Sequence, residues 1–368
     1  MDINETAHYL RLHLIPGIGF KTLDKLRKNR NCNFPHLHHC SQKTLLDQAW
    51  TAEQINILKG KCSKTENVVQ RALEWRAASN SRAIVCYESS QYPEALRQTL
   101  SPPLVIFCEG RLDLLFRPKL AVVGTRAPTQ YAYDALNTLL PPLAFTDIVT
   151  VSGLALGVDA ICHRVSLASD IATIAVLGNG IDIVYPKRHQ KLYSEIRERG
   201  LLISEFVLGT EPKPFQFPRR NRLISGMASG LLITEAKLKS GTMVSVKFAI
   251  EQNKEVLAVP SSILNVNGEL SHFLIQDGAT PIRSCEDILS SIAEFSQYSA
   301  FVQDNEKKHN MDLASDPLLV SVGDSATSVD LIAKRTGTSV TDVLTQLLEY
   351  ELRGLVASTP DGYIRLRG

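Results

Sequence analysis

No cysteine in this chain has a partner at C-x-x-C spacing, no eighteen-residue stretch is apolar throughout, and neither sign of charge dominates. Each absence removes a class of protein. The seven cysteines, at 32, 40, 62, 86, 108, 162 and 285, are odd in number and scattered, several inside apolar runs such as "AIVCY" and "LVIFCEG". They read as reduced, mostly buried thiols and not as a disulfide framework. Without a long apolar run there is no helical membrane span, and "MDINETAHYL" has neither a basic n-region nor an apolar h-region, so the expected location is cytoplasmic. A formal net charge of +2 excludes a global polycation, so an anionic partner has to be held by a local patch. The loop G-x-x-x-x-G-K-[ST] that grips nucleoside triphosphates is missing, and "GLALG" is not G-x-G-x-x-G.

What is present is enough apolar chain, 44% of 368 residues against 21% charged, for two or three globular domains. From Thr6 to Arg76 the apolar spacing is helical, and "LIPGIGFKTLDKLRKN" reads as two helical stretches joined by a Pro-Gly-x-Gly turn. This looks like a helix-hairpin-helix, or SAM-like, unit over 1–78. Its turn either aims backbone N–H groups at a nucleic-acid phosphate, beside Lys21, Lys25, Arg27 and Lys28, or simply permits a tight corner. "NCNFPHLHHC" offers Cys32, His36, His38, His39 and Cys40, but at no usual zinc spacing, and reads as a polar loop.

Between Arg82 and Ile288 short β-rich runs alternate with helical segments: "RAIVCY", "PLVIFCEG", "KLAVVG", "IVTVSG", "IATIAVLG", "LLISE", "LLITEA" and "EVLAVP". Most are apolar throughout, as in parallel strands covered on both faces. The fold class is therefore α/β, with an extended Rossmann-like parallel-sheet core over 79–294. It is flanked by the helical N-terminal domain, a polar linker over 295–315, and a C-terminal winged helix-turn-helix over 316–368.

Ligands of an open parallel sheet sit beyond the carboxyl ends of its strands. Four such ends here are suggestive: Gly124, Thr125 and Arg126; Ser152 and Gly153; "SEFVLGTEPKPFQFPRRNR"; and Ser240, Gly241 and Thr242. Small residues there let backbone N–H groups and helix dipoles approach an anion. Four separate ends suit an extended polyanion better than one compact cofactor, and no cofactor or metal is expected.

"VVGTRAPTQY", "VSGLALGVDAICH", "IAVLGNGIDIVYP", "LLISEF", "FPRRNRLISG", "EAKLKSGTMVS" and "VLAVP" resemble, in this order, the core of the bacterial DNA-processing protein A family, called DprA or Smf. The resemblance implies a non-enzymatic protein that binds single-stranded DNA without sequence preference, forms a homodimer and loads the RecA recombinase during natural transformation. Carried over by residue, it implies DNA contacts at Arg126, at Ser152 and Gly153, and in the "FPRRNR" loop with Lys213, Phe217, Arg219, Arg220, Asn221 and Arg222. Arginine forks suit phosphate oxygens, and an aromatic ring such as Phe217 stacks any base. Arg219 and Arg220 are the expected phosphate contacts, while Asn221 and Arg222 either join them or tie the loop to the sheet. The chain departs from the family at Ala132 after Tyr131, at Ser261, and in "NGELSHFLIQDGAT", which leaves the dimer less secure than the groove.

Two rivals remain. Phosphoribohydrolases with a related core use P-G-G-x-G-T-x-x-E, whose glutamate is catalytic; "KLKSGTMVS" keeps Gly241 and Thr242 but has Ser245 in that place, so no turnover is expected. His163 reads as a helix-face residue. A winged-helix regulator needs basic or amide side chains facing bases, whereas "SVTDVLTQLLEYELRG" carries Asp342, Glu349 and Glu351 around an apolar face of Val340, Val343, Leu344, Leu347 and Leu348. That domain is expected to contact protein or to pack against the central domain, and to be a poor reader of DNA.

Overall fold

The apolar runs form strands wherever both faces can be covered. In the computed structural model, which describes residues 2–30, 33–302, 316–323, 325–352 and 355–366, these are β1 (Arg82–Cys86), β2 (Val105–Gly110), β3 (Lys119–Val123), β4 (Val149–Ser152), β5 (Thr173–Leu177), β6 (Leu201–Ser204), β7 (Gly230–Ile233), β8 (Glu255–Ala258) and β9 (Thr280–Pro281). All eight expected strands are present, and β9 is an addition too short to leave a pattern. Their order in the sheet is β1-β2-β6-β5-β4-β3-β7-β8-β9. From β6 to β9 every pair is parallel, but β2 runs antiparallel to both β1 and β6, so the sheet is mixed and not purely parallel.

Alternate residues of each strand enter opposite layers, as a two-residue period requires. Ile174 and Val176 pack with Leu223, Ile224 and Met227 on one face, while Ala175 and Leu177 pack with Leu192, Tyr193 and Ile196 on the other. The chain runs from β3 outward through β4 and β5 to β6, then returns to place β7 on the other side of β3. A crevice opens where the winding direction reverses, at the carboxyl end of β3.

The helical segment expected as a separate domain over 1–78 shares its core with the sheet. Tyr9, Phe34 and Trp50 belong to one buried cluster with Ile84, Val105 and Phe107, and the Tyr9 hydroxyl donates to Glu88 Oε2 at 2.6 Å. Contacts divide the chain into Met1–Ser299 and Ala300–Gly368. Phe295, expected to begin the linker, is fully buried in the first unit, and residues 303–315 lie outside the described residues.

In the second unit, helices Pro317–Ser321, Val329–Thr336 and Val340–Leu352 precede β10 (Val356–Thr359) and β11 (Gly362–Arg365), an antiparallel pair across the Pro-Asp turn. The expected apolar face of Val340–Leu352 is split. Val343 and Leu347 are buried with Leu318, Ile332 and Tyr350, whereas Val340, Leu344 and Leu348 remain exposed on the adjoining stripe. Among the described residues no helix is long and apolar enough to cross a membrane.

Candidate functional site

The crevice at the end of β3 holds a cavity of about 380 Å³. One wall is Gly124, Thr125 and Arg126, which leave β3; a second is Ala155 and Asp159, which follow β4; a third is Ser240, Gly241, Thr242 and Ser245, which follow β7. The fourth wall is helical. "FPRRNR", expected as a loop, forms the first turns of helix Gln216–Met227. Pro218 is tolerated because it sits in the first turn, where its missing N–H has no helical partner to lose. Ahead of it, the Gln216 side chain accepts from Lys213 N at 2.6 Å, and Gln216 N donates to Lys213 O at 3.0 Å, which fixes the helix start.

Helical spacing then sorts the side chains. Phe217, Arg220, Asn221 and Ile224, at i, i+3, i+4 and i+7, face the cavity. Arg219 and Arg222 point to a different groove and share one buried carboxylate, Glu205. Arg219 Nε lies 3.2 Å from Glu205 Oε1, with its side chain about half exposed; Arg222 binds Glu205 Oε2 and gives 2.7 Å to Ser101 O.

Arg220, expected as a phosphate contact, is buried. Its Nη1 donates to the carbonyls of Gly153, at 2.5 Å, and Val176, and its Nε to Asn221 Oδ1 at 3.1 Å. Burial lowers its pKa to about 10, against the opposing pull of Asp159. Asp159 in turn accepts from the N–H groups of Gly153 at 3.1 Å and Ala155 at 3.4 Å, and burial raises its pKa despite the nearby Arg220. Ser152, also expected as a DNA contact, is fully buried with its hydroxyl on Val122 O at 2.7 Å. Both corrections have one cause: strand ends in a doubly covered sheet are interior, and a buried polar group there needs an internal partner.

Arg126 is the exposed cation at the mouth. Its guanidinium carbon lies 5.9 Å from the centre of the Phe217 ring, and among the described residues it has no ion-pair partner. The loop that carries it is held from below: buried Glu235 accepts from Thr129 N at 2.9 Å, Thr129 Oγ1 at 2.6 Å and Asn265 Nδ2 at 2.7 Å. Thr125 N reaches Glu235 O at 2.6 Å, and Thr242 Oγ1 reaches Gly124 O at 3.1 Å. Gly241 and Thr242 open helix Thr242–Glu251 toward the cavity, and among the described residues their N–H groups donate to no backbone carbonyl. The dipole and these donors favour a negative group there.

The cavity thus gathers Gly124, Thr125, Arg126, Phe217, Asn221, Gly241 and Thr242. Gly153 lines an adjoining cleft, Lys213 is exposed before the helix, and Arg219 and Arg222 stand outside. Sequence reasoning missed Tyr185, whose ring centre is 5.5 Å from that of Phe217, and Phe215, 67% exposed at the helix start. The available signal was an aromatic directly before or after proline at the edge of a basic stretch, "YPKR" and "PFQFPRR".

Compared with known proteins, residues 83–293 match the family described as DNA recombination-mediator protein A, and residues 307–362 match the DprA winged helix domain. The chain is 39% identical over 310 residues to Protein Smf of Escherichia coli (strain K12), covering 81% of each. It is 39% identical over 199 residues to DNA processing protein DprA of Streptococcus pneumoniae, covering 54% of this chain and 70% of the relative. Among solved structures, DNA processing protein A from Streptococcus pneumoniae aligns with a TM-score of 0.66 at 28% identity, over 78% of this chain and 98% of that one. DNA processing protein A from Helicobacter pylori, studied for its single-stranded DNA binding mode, aligns with a TM-score of 0.52 at 32% identity, over 56% and 93%.

Proposed function

This chain belongs to the DNA recombination-mediator protein A family, and from that premise we propose that the cavity at the end of β3 holds single-stranded DNA, independent of sequence and without turnover. The observation that carries the reading is Arg126 beside Phe217 at the mouth of a cavity floored by a helix N-terminus. A guanidinium takes a phosphate, an aromatic ring takes whichever base follows, and neither reads base identity. Gly124, Thr125, Asn221, Gly241 and Thr242 complete the contact set.

The reading extends to protecting an incoming strand and loading RecA recombinase onto it during natural transformation, as a cytoplasmic homodimer. Self-association is supported by Ile263 and Leu264, 90% and 88% exposed, with Val266 and Phe273 also exposed nearby. Apolar side chains so fully in water mark a contact surface. The exposed stripe Val340, Leu344 and Leu348 likewise favours a protein partner for the winged helix over duplex DNA.

The test is a gel-shift comparison of single-stranded DNA, duplex DNA and mononucleotides with the native chain and Arg126→Ala. The native chain is expected to prefer single strands, and Arg126→Ala to weaken all sequences alike. Equal affinity for duplex, or losses that differ among sequences, overturns the reading.

A further inference from the structure

We propose that Tyr185 is a second stacking position for the strand, next to Phe217 on the outer side of the cavity. The inference rests on the nucleic-acid reading above. Tyr185 lies in the segment after β5 and is 44% exposed. The rings of Tyr185 and Phe217 are 5.5 Å apart between centres and inclined by 33°, so they form a continuous aromatic ledge. Gly178 allows this: a Cβ there would come within 2.6 Å of the Phe217 ring, so only glycine lets the ring lie down on the end of β5.

The cleft behind the ledge, shared by Arg126, Tyr185, Pro186 and Phe217, measures about 60 Å³. It takes a few waters and not a nucleobase. A base therefore lies across the outer faces of the rings, the arrangement in which stacking is indifferent to sequence.

Two further observations favour a ligand over internal packing. The buried tyrosines each spend their hydroxyl inside the protein, Tyr9 on Glu88, Tyr92 on Pro103 O, Tyr193 on Ile181 O and Tyr350 on Asp316, whereas among the described residues none partners the Tyr185 hydroxyl. Lys187 and Arg188 follow after Pro186, both exposed, and add positive charge to the segment that carries Tyr185. Phosphate contact there supplies affinity while the ring supplies position.

The test measures binding of the full chain to an oligothymidylate and to a strand of equal length and charge made of abasic units, at several salt concentrations. Tyr185→Ala is expected to weaken the base-bearing strand on the order of tenfold, the low end of one base–aromatic stack. It is expected to leave the abasic strand and the salt slope unchanged. Tyr185→Phe should retain native affinity, and Tyr185→Leu, which keeps the packing on Phe217 without a π face, should behave like Tyr185→Ala. Equal loss on both strands, or retention by Tyr185→Leu, makes Tyr185 a packing residue and overturns the inference. Arg126→Ala, measured alongside, separates the two claims. If it too has no effect, the nucleic-acid reading fails; if it weakens both strands while Tyr185→Ala does nothing, only the second stacking position fails.

Discussion

Arg220 Nη1 donates to the carbonyl of Gly153 at 2.5 Å, and that bond joins the helix bearing Phe217 to the end of β4. A Cβ on Gly153 would fall 2.4 Å from Arg220 Nη2, so the close approach depends on glycine. Arg220→Ala strips the Gly153 and Val176 carbonyls of their donor and leaves Asp159 buried beside no cation. The expected loss is on the order of 3 kcal/mol, as for breaking a buried charge pair. Urea denaturation checks it. A variant as stable as the native chain would show that Arg220 does not hold the wall.

Arg219 and Arg222 compete for one carboxylate, and that sets how strongly Arg219 draws a phosphate. Arg126→Ala should flatten the dependence of log affinity on log salt by about 0.7, the value for one phosphate contact on a single strand. Arg219→Ala should flatten it by less, because Glu205 already neutralises part of the guanidinium charge. Glu205→Gln, which keeps the shape and removes the charge, should strengthen binding and steepen the slope, and should weaken the fold through the loss of the Arg222 pair. Weaker DNA binding by Glu205→Gln at a temperature where it is fully folded would contradict this.

The eight strands were legible because each is a short apolar run between turn residues, and being buried on both faces is what such a run means. Strand direction was not legible, since β2, antiparallel to both its neighbours, is as apolar as the parallel strands from β6 to β9 and only the connection reverses it. "FPRRNR" read as a loop because Pro218, three arginines and Asn221 outweigh the apolar residues of its first turns. The period of Phe217, Arg220, Asn221 and Ile224 was the signal for a helix. Burial of Arg220 was invisible for a physical reason: arginine is ordinarily exposed, and its partners are backbone carbonyls 44 and 67 residues away, which leave no mark on sequence.

A hydrolase on this cavity needs a carboxylate free to act at the bound sugar. Glu235 is buried beneath the Arg126 loop, where it holds Thr129 and Asn265, Asp159 is buried with its Oδ2 on the N–H groups of Gly153 and Ala155, and Ser245 stands where a glutamate would serve. Release of free base from nucleoside monophosphates, followed by chromatography over hours at high protein concentration, is therefore expected to stay at the rate of buffer alone. A rate that scales with protein and is abolished by Asp159→Asn would reinstate the enzyme.

His163 makes the fold sensitive to acid. It is fully buried, its Nδ1 lies 2.7 Å from Thr173 Oγ1, and among the described residues its Nε2 has no partner. Burial, with smaller repulsion from His189, Arg220 and Arg164, lowers its pKa from 6.5 to about 3. Between those values the unfolded chain binds a proton that the folded chain refuses, so stability is complete above pH 6.5 and is lost as pH falls through the window. From pH 7.5 to 5.5 the loss from this one group is about 1.4 kcal/mol, the free energy of a tenfold change in the protonation ratio. His163→Gln, which has no titratable group, should be less stable at neutral pH but should lose about that much less on acidification. Urea midpoints at the two pH values give the comparison. Identical acid sensitivity in both proteins would mean that the other histidines with lowered pKa, His8, His13, His39 and His189, carry the effect.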